Sequence, residues 1–131
     1  MKKIKILIEK NQDGYWGHAT NISNVVGYGE TLEACKANIL ESIELAKTLD
    51  EKNKFPYADN EYELVYNFDL VSLLENYKGV ISNVGFERLT GINQKQMHHY
   101  ATGLKKPRAE QKKKIVDGLH KLGQELLAIE L

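Results

Sequence analysis

The sequence predicts an α+β chain in two parts, a small sheet-and-helix layer followed by an all-helical segment, and three observations carry the prediction. Near the start, apolar residues recur at every second position as Ile4, Ile6 and Ile8, the period of a strand with one buried face. From Leu32 onward, and again beyond Leu70, they recur three and four residues apart, the period of amphipathic helices. Formal charge changes sign between the two textures. From Met1 to Leu70, 8 Lys and no Arg stand against 12 Asp plus Glu, a net of −4; from Val71 to Leu131, 10 Lys plus Arg stand against 6 acids, a net of +4. A chain of 131 residues, 42% hydrophobic and 27% charged, has room for one ordinary domain or two small ones.

The elements follow in order. A first strand is centred on Ile4, Ile6 and Ile8, and Asn11-Gln12-Asp13-Gly14 turns the chain. Tyr15 to Thr20 resumes extended character, with Tyr15, Gly17 and Ala19 on one face and Trp16, His18 and Thr20 on the other, which makes a hairpin. A third short strand is expected around Val25 to Tyr28. Thr31 is the expected N-cap of a helix in which Leu32, Cys35, Ile39, Ile43 and Ala46 form one stripe running through to Leu49, with Glu33 suited to its first turn. That helix should lie across the sheet and bury Cys35 as a small hydrophobe. After a polar loop over Asp50 to Asn60, Tyr62, Leu64, Tyr66 and Phe68 alternate within a fourth strand, Glu61 to Phe68.

The boundary between the parts is expected near Asp69 to Ser72, giving segments 1–70 and 71–131. Helical spacing begins there with Leu70, Leu73, Leu74 and Tyr77. Ser82 to Pro107, SNVGFERLTGINQKQMHHYATGLKKP, then reads as two short helices about a glycine turn. Val84, Phe86 and Leu89 are expected to face inward from the first, Ile81 to Thr90. Gly91 permits the turn. Asn93 caps the second, Gln94 to Ala101, whose Met97 and Tyr100 point inward, and Gly103 stops it. Gln94, Lys95, His98 and His99 remain outward. Amide and cationic side chains on the front of a helix reach base edges in a major groove. An ordinary solvated helix face is the alternative.

Between Arg88 and Lys114, eight cations (Arg88, Lys95, Lys105, Lys106, Arg108, Lys112, Lys113 and Lys114) stand against Glu110 alone. Phosphate attraction explains both this excess and the helical pattern. A closing helix with Ile115, Leu119, Leu122, Leu126, Leu127, Ile129 and Leu131 has enough apolar side chains for core contacts and a dimer seam. Gly118 and Gly123 weaken it in isolation, so packing must hold it.

Other classes find little support. No apolar run approaches the roughly 20 residues that span a bilayer, and MKKIKILIEK interleaves charges with apolar residues, unlike a signal peptide. A cytoplasmic protein without membrane partners is expected. The single Cys35 cannot form an internal disulfide, no Cys/His spacing suits structural zinc, and His98 and His99 point about 100° apart on a helix, so no metal or other cofactor is expected.

The N-terminal residues also carry a family resemblance. The strand ending IEK, the Asp13-Gly14 turn, Tyr15 and Trp16, and VVGYGETLEACKANILESIELA from Val25 to Ala46 resemble the HicB antitoxin domain. Gly27, Gly29, Glu30, Thr31, Glu33 and Ala34 occupy the places of the family's Gly, Gly-Asp/Glu-Thr and Glu/Ala-rich helix. The resemblance implies a partial ribonuclease H-like sheet for 1–70 and, for 71–131, a helix-turn-helix of the Xre/Cro type. It implies a non-enzymatic antitoxin that neutralises a HicA-type mRNA-cleaving toxin and represses its own operon at operator DNA, as a dimer or tetramer. Aligned with that pattern, Gln94, Lys95 and His99 contact bases, while Asn83, His98, Lys105, Lys106 and Arg108 contact phosphates. Glu30, Glu33, Glu41 and Glu44 are candidates for a cationic toxin surface.

A ribonuclease H-like enzyme would instead need converging carboxylates. Glu9 ends a strand, Asp13 lies in a turn, and Glu33, Glu41 and Glu44 are not expected to share one face. His18 is a poor general base on an edge strand. A ligand-sensing regulator with no toxin partner is the remaining alternative.

Overall fold

The computed structural model describes residues 1–49, 55–57 and 61–131. Among them the chain forms a four-stranded sheet and five helices, an α+β architecture. It divides into two compact units, Met1–Ser72 and Leu73–Leu131.

In the first unit, β1 (Lys2–Lys10), β2 (Tyr15–Ala19), β3 (Val26–Gly29) and β4 (Tyr62–Phe68) lie in the order β3-β2-β1-β4. β1 pairs antiparallel with β2 and parallel with β4, so the chain crosses over one face between the two outer partners through α1 (Leu32–Ala46). The expected turn closes through Asn11, whose Oδ1 accepts from Asp13 N at 2.9 Å and Gly14 N at 3.1 Å. Beyond the end of β2, Asn21 takes over as a pairing partner for β1: its Oδ1 accepts from Lys5 N and its Nδ2 donates to Lys3 O.

Alternation fixes the core. Ile4, Ile6, Ile8 and Tyr15 point to the face covered by α1, where they meet Leu32, Cys35, Ile39, Ile43 and Ala46, with Tyr62, Leu64, Tyr66 and Phe68 packed at its margin. Thr31 Oγ1 accepts from Ala34 N at 3.1 Å, the expected cap. α1 stops at Ala46, three residues short of the expected Leu49, because Thr48 Oγ1 donates to Leu45 O and the apolar stripe has run out. Cys35 is fully buried and burial pushes its thiol up, which suits a packing role. Phe55 also enters this core. The polar loop expected over Asp50 to Asn60 otherwise lies outside the described residues.

Helix and sheet approach closely through glycine. A Cβ at Gly27 would lie 2.6 Å from Ile39 Cγ1, and one at Gly29 would overlap the backbone nitrogen of Cys35. The two glycines that carry the family resemblance thus have a packing reason of their own.

α2 (Leu70–Tyr77) spans the division between the units. At its start, Ser72 Oγ donates to Asp69 Oδ2 at 2.7 Å and accepts from Lys10 N at 3.0 Å. The second unit adds α3 (Asn83–Thr90), α4 (Gln94–Ala101) and α5 (Ala109–Leu127), with α3 packed on both α4 and α5. Its interior holds Leu74, Phe86, Ile92, Met97, Tyr100 and Ile115. Val84, expected inward, is 50% exposed. It lies two residues before Phe86, about 200° round the helix, and so faces the other way.

Candidate nucleic-acid interface

The candidate interface is built on α3, a tight turn, α4 and the loop after it. Ser82 Oγ caps α3 by accepting from Gly85 N at 3.0 Å, which leaves Asn83 as its first helical residue, half-exposed. At the other end Gly91 adopts φ 76, a left-handed conformation that costs a glycine little, and its N–H donates to Glu87 O. Thr90 Oγ1 donates to Phe86 O at 2.7 Å and accepts from Ile92 N at 3.0 Å, so one hydroxyl closes α3 and aims Ile92 into the core.

The start of α4 has two caps. Asn93 Oδ1 accepts from Lys95 N at 2.8 Å, as expected, and Glu87 Oε1 accepts from Gln94 N at 2.7 Å. The Glu87 carboxylate complements the positive end of the helix. It lies seven residues back on another helix, so no local sequence pattern pointed to it.

Helical geometry sorts the side chains of α4. Taking Gln94 as origin and about 100° per residue, His98 and Lys95 fall at about 40° and 100°, while Tyr100 and Met97 fall at about 240° and 300°, on the side away from Lys95. Gln94, Lys95 and His98 are exposed, and Met97 and Tyr100 are buried. His99 falls about 140° from Gln94, on the flank. It is half-buried, and its Nδ1 is covered without a hydrogen-bond partner. Partial burial, then the charges of Lys105, Lys95 and His98, hold its imidazole below the ordinary histidine value.

After α4, Gly103 has φ 79 and Lys105 N donates to His99 O at 3.2 Å, tying the cationic loop to the helix. Lys105, Lys106 and Arg108 are exposed. They share with Glu110 and Tyr100 the wall of a cavity of about 520 Å³ beside the start of α5. Lys113 differs from the other cations: its Nζ lies 2.7 Å from Asp117 Oδ2, and that hydrogen bond raises its pKa. The basic excess counted up to Lys114 is reduced by a carboxylate three residues past it.

The candidate toxin-facing acids gather better than expected. Glu30, Glu33, Glu41 and Glu44 are all exposed. On α1, Glu33, Glu44 and Glu41 fall about 100°, 120° and 180° from Leu32, one outward arc of about 80°. Leu40 and Leu45 are exposed around that arc, and Glu44 pairs with Lys47 at 3.0 Å. The opposite face of the sheet carries an exposed Trp16 with Tyr28 at 4.5 Å between ring centroids, and His18 across from Leu7. Tyr28 OH donates to Asp13 O at 2.6 Å. Among the described residues, no three His, Cys, Asp or Glu side chains converge in a way that could hold a metal ion, and no helix is long and apolar enough to cross a membrane.

Neither a protein-family model, nor a curated protein, nor a solved structure matches the chain.

Proposed function

We propose that this protein is an antitoxin and autorepressor, with a helix-turn-helix DNA reader in its second unit and a toxin-binding surface in its first. The observation that carries the DNA reading is the front of α4. Gln94, Lys95 and His98 stand exposed on one arc of a helix whose Met97 and Tyr100 anchor it beside α3. In this reading α3 positions α4 in the major groove, Gln94 and Lys95 meet base edges, and His99 reaches the edge of the site from the flank of α4. His98, Lys105, Lys106 and Arg108 bind phosphates, and Asn83 adds a donor at the α3 N-terminus. The acidic outward arc of α1 supports the second role. A ribonuclease presents cations to its substrate, and Glu33, Glu41 and Glu44 with the exposed Leu40 and Leu45 offer charge complementarity around apolar contact.

The test uses DNA from upstream of the protein's own reading frame and any short basic protein encoded beside it. Substituting Gln94, Lys95 and His99 together by Ala is expected to abolish DNA retention while capture and neutralisation of the neighbouring protein persist. Loss of both would overturn the two-surface assignment. A neighbour that is never captured would favour a ligand-sensing regulator.

A further inference from the structure

The two edges of the sheet are finished differently. β3 and β4 are its outer strands. On β3 the outward backbone nitrogens are taken up by α1: Val26 N donates to Ser42 Oγ at 3.1 Å and Tyr28 N to Asn38 Oδ1 at 2.8 Å. Two polar side chains thus close that edge to a further strand.

β4 has no such cover. Lys2 N donates to Glu61 O at 3.0 Å, and the parallel register sets Lys2 against Tyr62. In a parallel pair the residues on either side of the register partner supply the bonds, so Glu61, Glu63, Val65 and Asn67 turn their backbone toward β1. The intervening Leu64 and Tyr66 therefore turn N–H and C=O outward, where no group of the described residues bonds to them. Composition does not guard the strand either. Its seven residues, YELVYNF, include no proline or lysine, and Glu63 is their only charge. Such an edge is a template for another strand.

The flank of β4 indicates what it would accept. The side chains of Tyr62, Leu64, Tyr66 and Phe68 are half-buried at the margin of the core. Lys36 Nζ stands 4.5 Å from the centroid of the Tyr66 ring and Lys47 Nζ 5.3 Å from that of Tyr62, so α1 runs antiparallel to β4 along this side. Leu40, one turn on from Lys36, lies between those two points and is 51% exposed. Lys36 pairs with no carboxylate among the described residues.

We propose that β4 receives an extended segment of a partner protein by strand addition, with apolar side chains at alternate positions turned toward Leu64 and Leu40 and a carboxylate set against Lys36. A helix could not satisfy the outward amides, because its own backbone groups are already bonded. A basic segment would be opposed by Lys36 and Lys47. A second copy of β4 would bring no carboxylate to this face, since its Glu63 lies on the other. The inference stands apart from the proposed function, whose toxin surface is the acidic arc of α1.

Hydrogen exchange and peptide selection on the full chain test it. In the chain alone, the amides of Leu64 and Tyr66 are expected to exchange faster than that of Val65, which β1 holds. Panning a random peptide library should enrich apolar residues at alternate positions with an Asp or Glu among them, and the selected peptide should slow exchange at Leu64 and Tyr66. Methylating alternate backbone nitrogens of that peptide should abolish binding for one set and spare it for the other, because only one set faces β4. Lys36→Glu should weaken binding about tenfold, and exchanging the peptide's acid for Lys should recover most of that loss. A library that enriches no alternating acidic sequence overturns the proposal. So do two methylated sets that bind alike, or protection that falls outside β4. Leu64 and Tyr66 amides that become protected on concentrating the chain without peptide also overturn it, by giving the edge to a second copy.

Discussion

Helices α1 and α5 solve the same packing problem to different extents. Each is amphipathic, and each is brought close to its support by glycine, Gly27 and Gly29 under α1 and Gly118 within α5. On α1 the stripe from Leu32 to Ala46 is buried throughout, because the sheet extends beneath its whole length. On α5 burial fades along the stripe, from a fully buried Ile115 to an exposed Leu126, and Gly85 and Leu89 of α3 are separated from Leu122 and Glu125 by a cavity. A stripe that matches its support is complete within one chain. One that exceeds its support leaves apolar side chains in solvent, as at Leu126 and Leu127.

The strongest way to break this comparison is at the glycines. Gly29→Ala places a methyl on the backbone of α1, which cannot yield as a side chain can, and the first unit is expected to lose about 3 kcal/mol, the upper part of the overpacking range. Gly118→Ala meets the Leu89 carbonyl and should cost the second unit about 2 kcal/mol. Gly123→Ala meets nothing within its own chain, so in dilute solution it should stabilise α5 by up to about 1 kcal/mol through helix propensity. Urea unfolding of the three variants measures the series. Equal losses at Gly118 and Gly123 would show that α5 is gripped along its whole length.

Truncating the stripes sharpens the same contrast. Ile43→Ala, at a site with 1% exposure, should cost about 3 kcal/mol. Leu126→Ala should change the stability of the chain by less than about 0.5 kcal/mol.

The two halves also differed in how much the residues disclosed. Every strand was legible to within a residue or so, because strict alternation around Ile4, Ile6 and Ile8 leaves only one face for the core. Buried positions on α1 and α4 followed from the helical period in the same way. Three features escaped. Val84 was set inward because it is apolar, although its angle from Phe86 directs it outward. Glu87 caps α4 from a different helix, which no local pattern encodes. Gly118 read as a cost to α5, since propensity was visible and the Leu89 carbonyl beside it was not. The candidate site was legible in its residue types, less so in its geometry: His99 lies on the flank of α4, and the acids of α1 share a face after all.

Smaller effects separate the cations. If Lys105, Lys106 and Arg108 hold phosphates, replacing any one by Gln should reduce the salt slope of DNA binding by about 1. Lys113 is already engaged by Asp117, and its replacement should change the slope by clearly less. A slope that falls equally for Lys113→Gln would mean that the basic excess acts as a diffuse field with no defined contacts.

The finest distinction rests on His99. Partial burial and the nearby lysines hold its pKa in the folded chain below the ordinary value of about 6.5 that it has when unfolded. The unfolded chain therefore takes up the proton first as pH falls, so this residue's contribution to stability is intact above about pH 6.5 and is lost as pH drops through the folded value. DNA binding has the opposite sign. Phosphates placed against Lys95 and Lys105 offset the charges that depress His99, raise its pKa in the complex, and make binding take up a proton. DNA affinity is then expected to rise by less than about tenfold between pH 7.5 and 5.5, while the urea midpoint falls. His99→Gln should flatten both trends. If it flattened the stability trend alone, His99 would be a packing residue on the flank of α4, and base recognition would fall to Gln94 and Lys95.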